Sequence, residues 1–163
     1  RMSNIKAFLE SGTYIPPDAS LSSSSSSSSI LHLARIIPSI DATRPIRFIV
    51  VDSPEQFKPE YWARVVAVFT TGQTWQFKNY KWQAPQELFR HALGVYVGWR
   101  GEPVPDAVRG WGRGVVSVAL DPWSGVQGAT RWRDREGVEA VWRGVEENMR
   151  VKGWSKDSGP VNA

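Results

Sequence analysis

The chain has 163 residues, 41% of them hydrophobic, enough for one domain with its own core. It contains no cysteine, which excludes disulfides, zinc–thiolate clusters and thiol nucleophiles, and no run approaches the roughly 18 apolar residues of a membrane span. The formal charge of +4, from 20 basic and 16 acidic residues, favours anionic partners without demanding them.

The first residues lack the basic-then-apolar layout of a secretory signal, and the chain reads as an intracellular piece of a longer protein. Ile5, Phe8 and Leu9 are spaced for one apolar helical face, with Ser3 ahead of them and Gly12 where a left-handed cap belongs, so a helix is expected from about Asn4 to Ser11. Pro16 and Pro17 prevent its continuation. The low-complexity stretch 20–29, with eight serines in a row from Ser22 to Ser29, can bury nothing and reads as a linker within a single domain 1–163. The next segment, ILHLARIIPSI, fits a strand or a short helix equally well.

From Ile46 to Val51 the residues are branched or aromatic and end at Asp52-Ser53-Pro54, which predicts a strand. Pro59 suits the first turn of a short helix reaching Trp62 or Ala63. The unbroken apolar run Val65–Phe69 predicts a second strand, buried on both faces as in a parallel or mixed sheet. Pro85 opens a helix carrying Leu88 and Phe89, and strands follow at Val95–Trp99 and Gly114–Leu120. The final helix has Asp134 as its expected N-cap and Val138, Val141, Trp142, Val145 and Met149 at helical spacing, before Gly153 stops it. Glu139 with Arg143 and Glu146 with Arg150 are expected to pair on its wet side. Strands alternating with helices make an α/β domain: a mixed, mainly parallel central sheet flanked by helices.

A strand running into Thr70-Thr71-Gly72 raises the question of nucleotide binding. A phosphate loop starting at Gly72 would need Gly, Lys and a hydroxyl residue at 77–79, where the chain has Phe77, Lys78 and Asn79. Asp134-Arg135-Glu136-Gly137 has the spacing of a magnesium-side switch but opens an amphipathic helix. Asn79-Tyr80-Lys81-Trp82 has tryptophan where a guanine-reading motif needs aspartate. Only His32 and His91 exist, so no histidine-rich metal cluster forms, and His91 is expected to sit at a helix C-terminus on the dipole. No nucleotide, cofactor, metal or enzymatic activity is expected.

Nine tryptophans suggest either a bulky core or an adhesive surface, the core or its edge being the commoner place for any one ring, and a local excess of six basic over three acidic side chains in 53–100 favours an anionic partner. Trp75, Lys78, Lys81, Trp82 and Arg90 are the candidate partner-binding residues. Aromatic rings interleaved with cations also suit a nucleic acid, whose bases stack while lysines track phosphates.

The residues Arg64-Val65-Val66-Ala67-Val68-Phe69, then Gly72, then Trp75-Gln76-Phe77-Lys78 with Trp82, resemble the signature of the parafibromin-type C-terminal domain, found in a subunit of the RNA-polymerase-associated factor complex. Asn4 to Leu9 with Tyr14-Ile15-Pro16, Phe48 to Asp52, Pro59 to Trp62, Pro85 to Phe89 and the terminal helix with Trp142 are similar too. The resemblance implies a Ras-like fold without nucleotide-binding loops. It further implies a nuclear role in transcription elongation, with other subunits of the complex, the RNA polymerase II machinery or chromatin as partners. Arg1-Met2 cannot supply the apolar strand that usually precedes the first helix in that family.

Overall fold

In the computed structural model, which describes residues 1–17, 29–125 and 131–161, the apolar spacing of Ile5, Phe8 and Leu9 becomes helix α1 (Met2–Ser11), ended by Gly12 at φ 69°. Apart from Ser29, the serine linker lies outside the described residues. The segment left open between strand and helix is strand β1 (Ile30–Ile37), paired antiparallel with β2 (Asp41–Val51) so that Leu33 faces Phe48 and His32 faces Ile49.

Strand β2 begins at Asp41, not at Ile46, because the Asp41 carboxylate organises the intervening residues. It accepts the backbone N–H groups of Thr43 at 2.9 Å and Arg44 at 3.1 Å, and the Arg44 Nε–H at 3.0 Å. These donors, the backbone pair above all, hold its carboxyl well below the usual carboxylate range.

Strands β3 (Ala67–Thr70), β4 (Leu93–Trp99) and β5 (Val115–Leu120) form a parallel sheet in that order. The α/β architecture with mainly parallel strands is therefore as the sequence led us to expect, and antiparallel pairing between named strands is confined to β1 and β2. β3 has both faces covered, yet it is an edge strand whose burial alternates along its length. Its pleat divides the apolar run between two cores: Ala67 and Phe69 pack on one, Val68 belongs to the other.

The larger core lies between the sheet, α1, the β1–β2 hairpin and helix α4 (Asp134–Val151). Val138, Val141, Trp142, Val145 and Met149 supply its helical side, with Val95, Val118 and Leu120 opposite. The Trp142 ring stacks edge-on against Phe48 at 5.1 Å and its Nε1–H donates to the Leu9 carbonyl at 3.0 Å. Two glycines seat α4 on the sheet: a Cβ at Gly137 would stand 2.4 Å from a Val118 methyl, and one at Gly144 2.7 Å from a Leu93 methyl.

The carboxylates expected on the wet side of α4 behave differently. Glu139 binds Arg35 of β1 at 2.7 Å, Glu146 accepts the Ser39 backbone N–H at 3.3 Å, and Arg150 pairs with Glu147 instead. Glu139 and Glu146 thus tie the helix to the hairpin. Asp134 is the first helical residue, not the N-cap: its carboxylate is buried, accepts the Tyr14 N–H at 2.8 Å and lies 3.6 Å from Arg131. Burial pushes its carboxyl pKa up, opposed by that N–H and by Arg131.

The smaller core covers the opposite face of the parallel sheet. Helix α2 (Pro85–His91) contributes Leu88 and Phe89, which join Val68, Phe77 and Ala92. Phe89 lies so close to Gly94 and Gly114 that any side chain at either glycine would collide with it. Helix α3 (Asp106–Gly110) buries Val108.

Candidate interaction surface

The candidate residues follow the end of β3. Gly72 takes φ 92°, and a Cβ there would meet a Val108 methyl at 3.0 Å and Pro105 at 3.5 Å, so the turn packs against α3. Its N–H donates to the Thr70 hydroxyl at 3.0 Å. A 3-10 turn, Thr74–Phe77, then sends alternate rings in opposite directions. Phe77 is completely buried, whereas Trp75 is 73% exposed, its Nε1–H engaged by Gln73. Gln76 fixes the turn from beneath, donating through Nε2 to the Phe69 carbonyl at 2.8 Å and to the Tyr80 hydroxyl at 3.4 Å.

Below this turn lies a lattice of rings. Phe77 meets Tyr80, Phe89 and Trp111 edge-on at 5.4, 5.7 and 5.8 Å; Trp62, from a 3-10 turn at Pro59–Arg64, meets Tyr80 at 5.3 Å and Trp82 at 6.0 Å. Edge-to-face pairs at these spacings each add about 0.5–1.5 kcal/mol to area burial. Pro59 does open a short helix as expected, but it is 3-10 and runs to Arg64.

Trp82 is not an open platform. The His91 ring stacks on it at 3.9 Å and 7°, and the Lys81 ammonium stands 5.0 Å from its centroid. His91 does end α2, yet the dipole does not govern it. Burial chiefly, then the charges of Lys152, Lys81 and Arg90, push its pKa down against a weaker opposing pull from Glu87.

The five candidates therefore divide. Lys81, Trp82 and Arg90 gather around His91, while Trp75 and the exposed Lys78 form a separate tip on the 3-10 turn. Sequence reasoning missed Lys152, which is 5% exposed, donates to the Val65 carbonyl at 3.2 Å and has its pKa lowered by burial. It lies 70 residues from Trp82 in the chain, and nothing local in the pattern marks it. Among the described residues no group of side chains is arranged to hold a metal ion, and no helix is long and apolar enough to cross a membrane.

Residues 1–148 match the family described as RNA pol II accessory factor, Cdc73 family, C-terminal. The chain belongs to the Cdc73 family. Cell division control protein 73 of Saccharomyces cerevisiae is 40% identical over 154 residues, covering 94% of this chain and 36% of that protein. The Schizosaccharomyces pombe protein of the same name is 39% identical over 150 residues, 91% of this chain and 38% of that one. A solved structure, "The conserved domain of yeast Cdc73", is similar with a TM-score of 0.77 at 40% identity, covering 94% of this chain and 90% of that chain.

This is the family that the signature around Trp75 resembles, and its description is that of an RNA pol II accessory factor. The chain spans little more than a third of the two yeast relatives. The Cdc73-family match includes all five candidate residues and ends just before Lys152.

Proposed function

We propose that this chain is a non-enzymatic interaction module of the RNA polymerase II elongation machinery, acting in the nucleus and helping the complex associate with its other subunits, with polymerase or with chromatin. Residues 1–163 act as one domain, with 20–29 as its linker. Trp75 and Lys78 contact the partner, and Lys81 and Arg90 extend the contact across a cationic shelf that Trp82 supports. The observation that carries this reading is the exposure of the Trp75 ring, 73%, on a turn whose next ring, Phe77, is wholly buried. A large aromatic held rigidly outward loses little freedom on binding and is the kind of side chain that dominates interfaces.

The test is capture of elongation factors and nucleosomes from nuclear extract by the full chain, by Trp75→Ser, and by a triple variant with Lys78, Lys81 and Arg90 replaced by Glu. Folded variants that lose about tenfold or more of the capture support the assignment. Folded variants with unchanged capture overturn it.

A second reading, direct nucleic-acid binding, is favoured by the pairing of Trp75 with Lys78 at the same tip, a ring for stacking beside a cation for phosphate. Fluorescence anisotropy on short single strands separates the two. Affinity that falls steeply with salt and is lost in both variants selects nucleic acid; capture of proteins without such affinity selects the protein interface.

A further inference from the structure

Strand β3 ends at Thr70, opposite Tyr96, whereas β4 continues beside β5 to Trp99, opposite Leu120. Beyond Thr70 the edge of β4 thus has no ladder partner on the β3 side. A cavity of about 330 Å³ opens there, lined in part by Tyr14, Thr71, Tyr96, Trp99 and Glu102. It lies at the carboxyl ends of the parallel strands, where α/β sheets commonly place ligands. It is separate from the Trp75 tip.

The walls are rings. Tyr96 and Trp99 leave opposite faces of β4, so the notch is flanked from both sides of the sheet. Tyr14 meets Trp99 edge-on, with centroids 5.3 Å apart and planes at 90°, which gives two perpendicular walls. Gly98 sets the third: a Cβ there would stand 2.9 Å from the Tyr96 ring and hydroxyl, so only glycine lets that ring lie along the strand. The rim is acidic. Glu102 is exposed, lines the cavity and forms no ion pair among the described residues, and no lysine or arginine lines the space.

The same aromatic group already attracts a cation. The Arg131 guanidinium lies 5.8 Å from the Tyr14 centroid and 6.0 Å from that of Trp123, itself 6.2 Å from Tyr14. Perpendicular electron-rich rings with one carboxylate, and no lysine or arginine in the lining, suit a bulky, weakly hydrated ammonium. An anion would meet the negative faces of three rings and Glu102. A compact primary ammonium is strongly hydrated and loses more on entry.

We propose that the notch at the end of β3 is an aromatic cage for a methylated ammonium, either the side chain of a trimethylated lysine or a choline-type head. Tyr14, Tyr96 and Trp99 supply the ring faces and Glu102 the counter-charge.

Isothermal titration calorimetry on the full chain tests it with four probes: a short peptide bearing trimethyllysine, the same peptide with unmodified lysine, the same peptide with the uncharged tert-butyl isostere of trimethyllysine, and choline. The expected result is saturable binding of the trimethyllysine peptide, weakened roughly tenfold for the lysine peptide and for the neutral isostere. Tyr96→Leu abolishes it, and Glu102→Gln, an exposed change that leaves folding intact, weakens it severalfold at low salt. Choline bound as tightly as the peptide supports the cage and assigns it to a small molecule or lipid head; choline bound far more weakly supports it and assigns it to protein. No saturable heat from either quaternary ammonium at millimolar concentration overturns the proposal. So does a neutral isostere that binds as well as the cation, or binding that both variants leave unchanged.

Discussion

The two faces of the parallel sheet are closed by different means. On one, a single 18-residue helix, α4, lays aliphatic side chains at regular spacing across β4 and β5. On the other, rings arrive from separate short segments, Pro59–Arg64, Thr74–Phe77, the turn through Trp82, α2 and the approach to β5, and meet edge to face. The first arrangement depends on a continuous helix and is committed to holding the domain together. The second builds a firm floor from irregular chain and leaves its outermost side chains free to face a partner, as loops on a rigid scaffold do.

The largest expected effect separates these two roles. Trp142→Ala removes a buried ring, its contact with Phe48 and its hydrogen bond to Leu9, and should cost about 3–5 kcal/mol in denaturant unfolding. Phe77→Ala should cost a similar amount, but hydrogen exchange at partial destabilisation should show the loss of protection concentrated in residues 71–82. Equal loosening across both faces after Phe77→Ala would mean the two cores are one cooperative unit.

A finer probe uses the two glycines of α4. Gly137→Ala drives a methyl into Val118, whose branched side chain has little room to turn, and should destabilise by about 1–3 kcal/mol. Gly144→Ala meets only the tip of a flexible Leu93 and gains up to about 1 kcal/mol of helix propensity, so its melting temperature should hold or rise. If Gly137→Ala is tolerated as well as Gly144→Ala, close seating of the helix against Val118 is not what Gly137 provides.

The ring-built face should also respond to pH. His91 has its pKa lowered in the folded state, so between its ordinary value of about 6.5 and that lower value the unfolded chain binds more protons. Stability should therefore fall as pH drops below about 6.5 and recover as it rises, and His91→Gln should flatten that part of the profile. Urea midpoints at several pH values check this; a profile unaffected by the substitution would show that Trp82, Lys152 and Lys81 do not perturb the imidazole.

What the sequence disclosed follows the same division. The spacing of Val138, Val141, Val145 and Met149 announced α4, and branched runs announced β2, β3 and β5, because a regular element repeats its pattern along the chain. The roles of Glu139, Glu146 and Asp134 were not legible, since their partners Arg35, Ser39 and Tyr14 lie about a hundred residues away or more. Trp75 and Trp82 looked equivalent in the sequence; the structure separates them by what lies over each ring. Lys152 was invisible for the same reason. Short-range pattern identifies elements, whereas a surface assembled from several turns is decided by tertiary packing.

The smallest effects are expected outside both cores. Replacing Lys78, Lys81 and Arg90 together by Glu should change stability by no more than about 1 kcal/mol, the part at Lys81 coming from its contact with Trp82. Deleting four serines from 22–29 should change it by well under about 1 kcal/mol, because closure entropy varies slowly with length. A large drop in melting temperature in either case would assign those residues to the fold and not to the surface.

The central claim is that the ring-supported tip, and not the hairpin, meets the transcription machinery. The hairpin offers a fair competitor, since Ile36 and Ile49 are 43% and 64% exposed. The direct measurement is site-specific photo-crosslinking of the full-length protein carrying benzoylphenylalanine at position 75 or at position 36, in purified RNA polymerase II elongation complexes. The account predicts crosslinks to polymerase, elongation subunits or nucleosomal components from position 75 and only background from position 36. Crosslinks from position 36 with none from position 75 would contradict it.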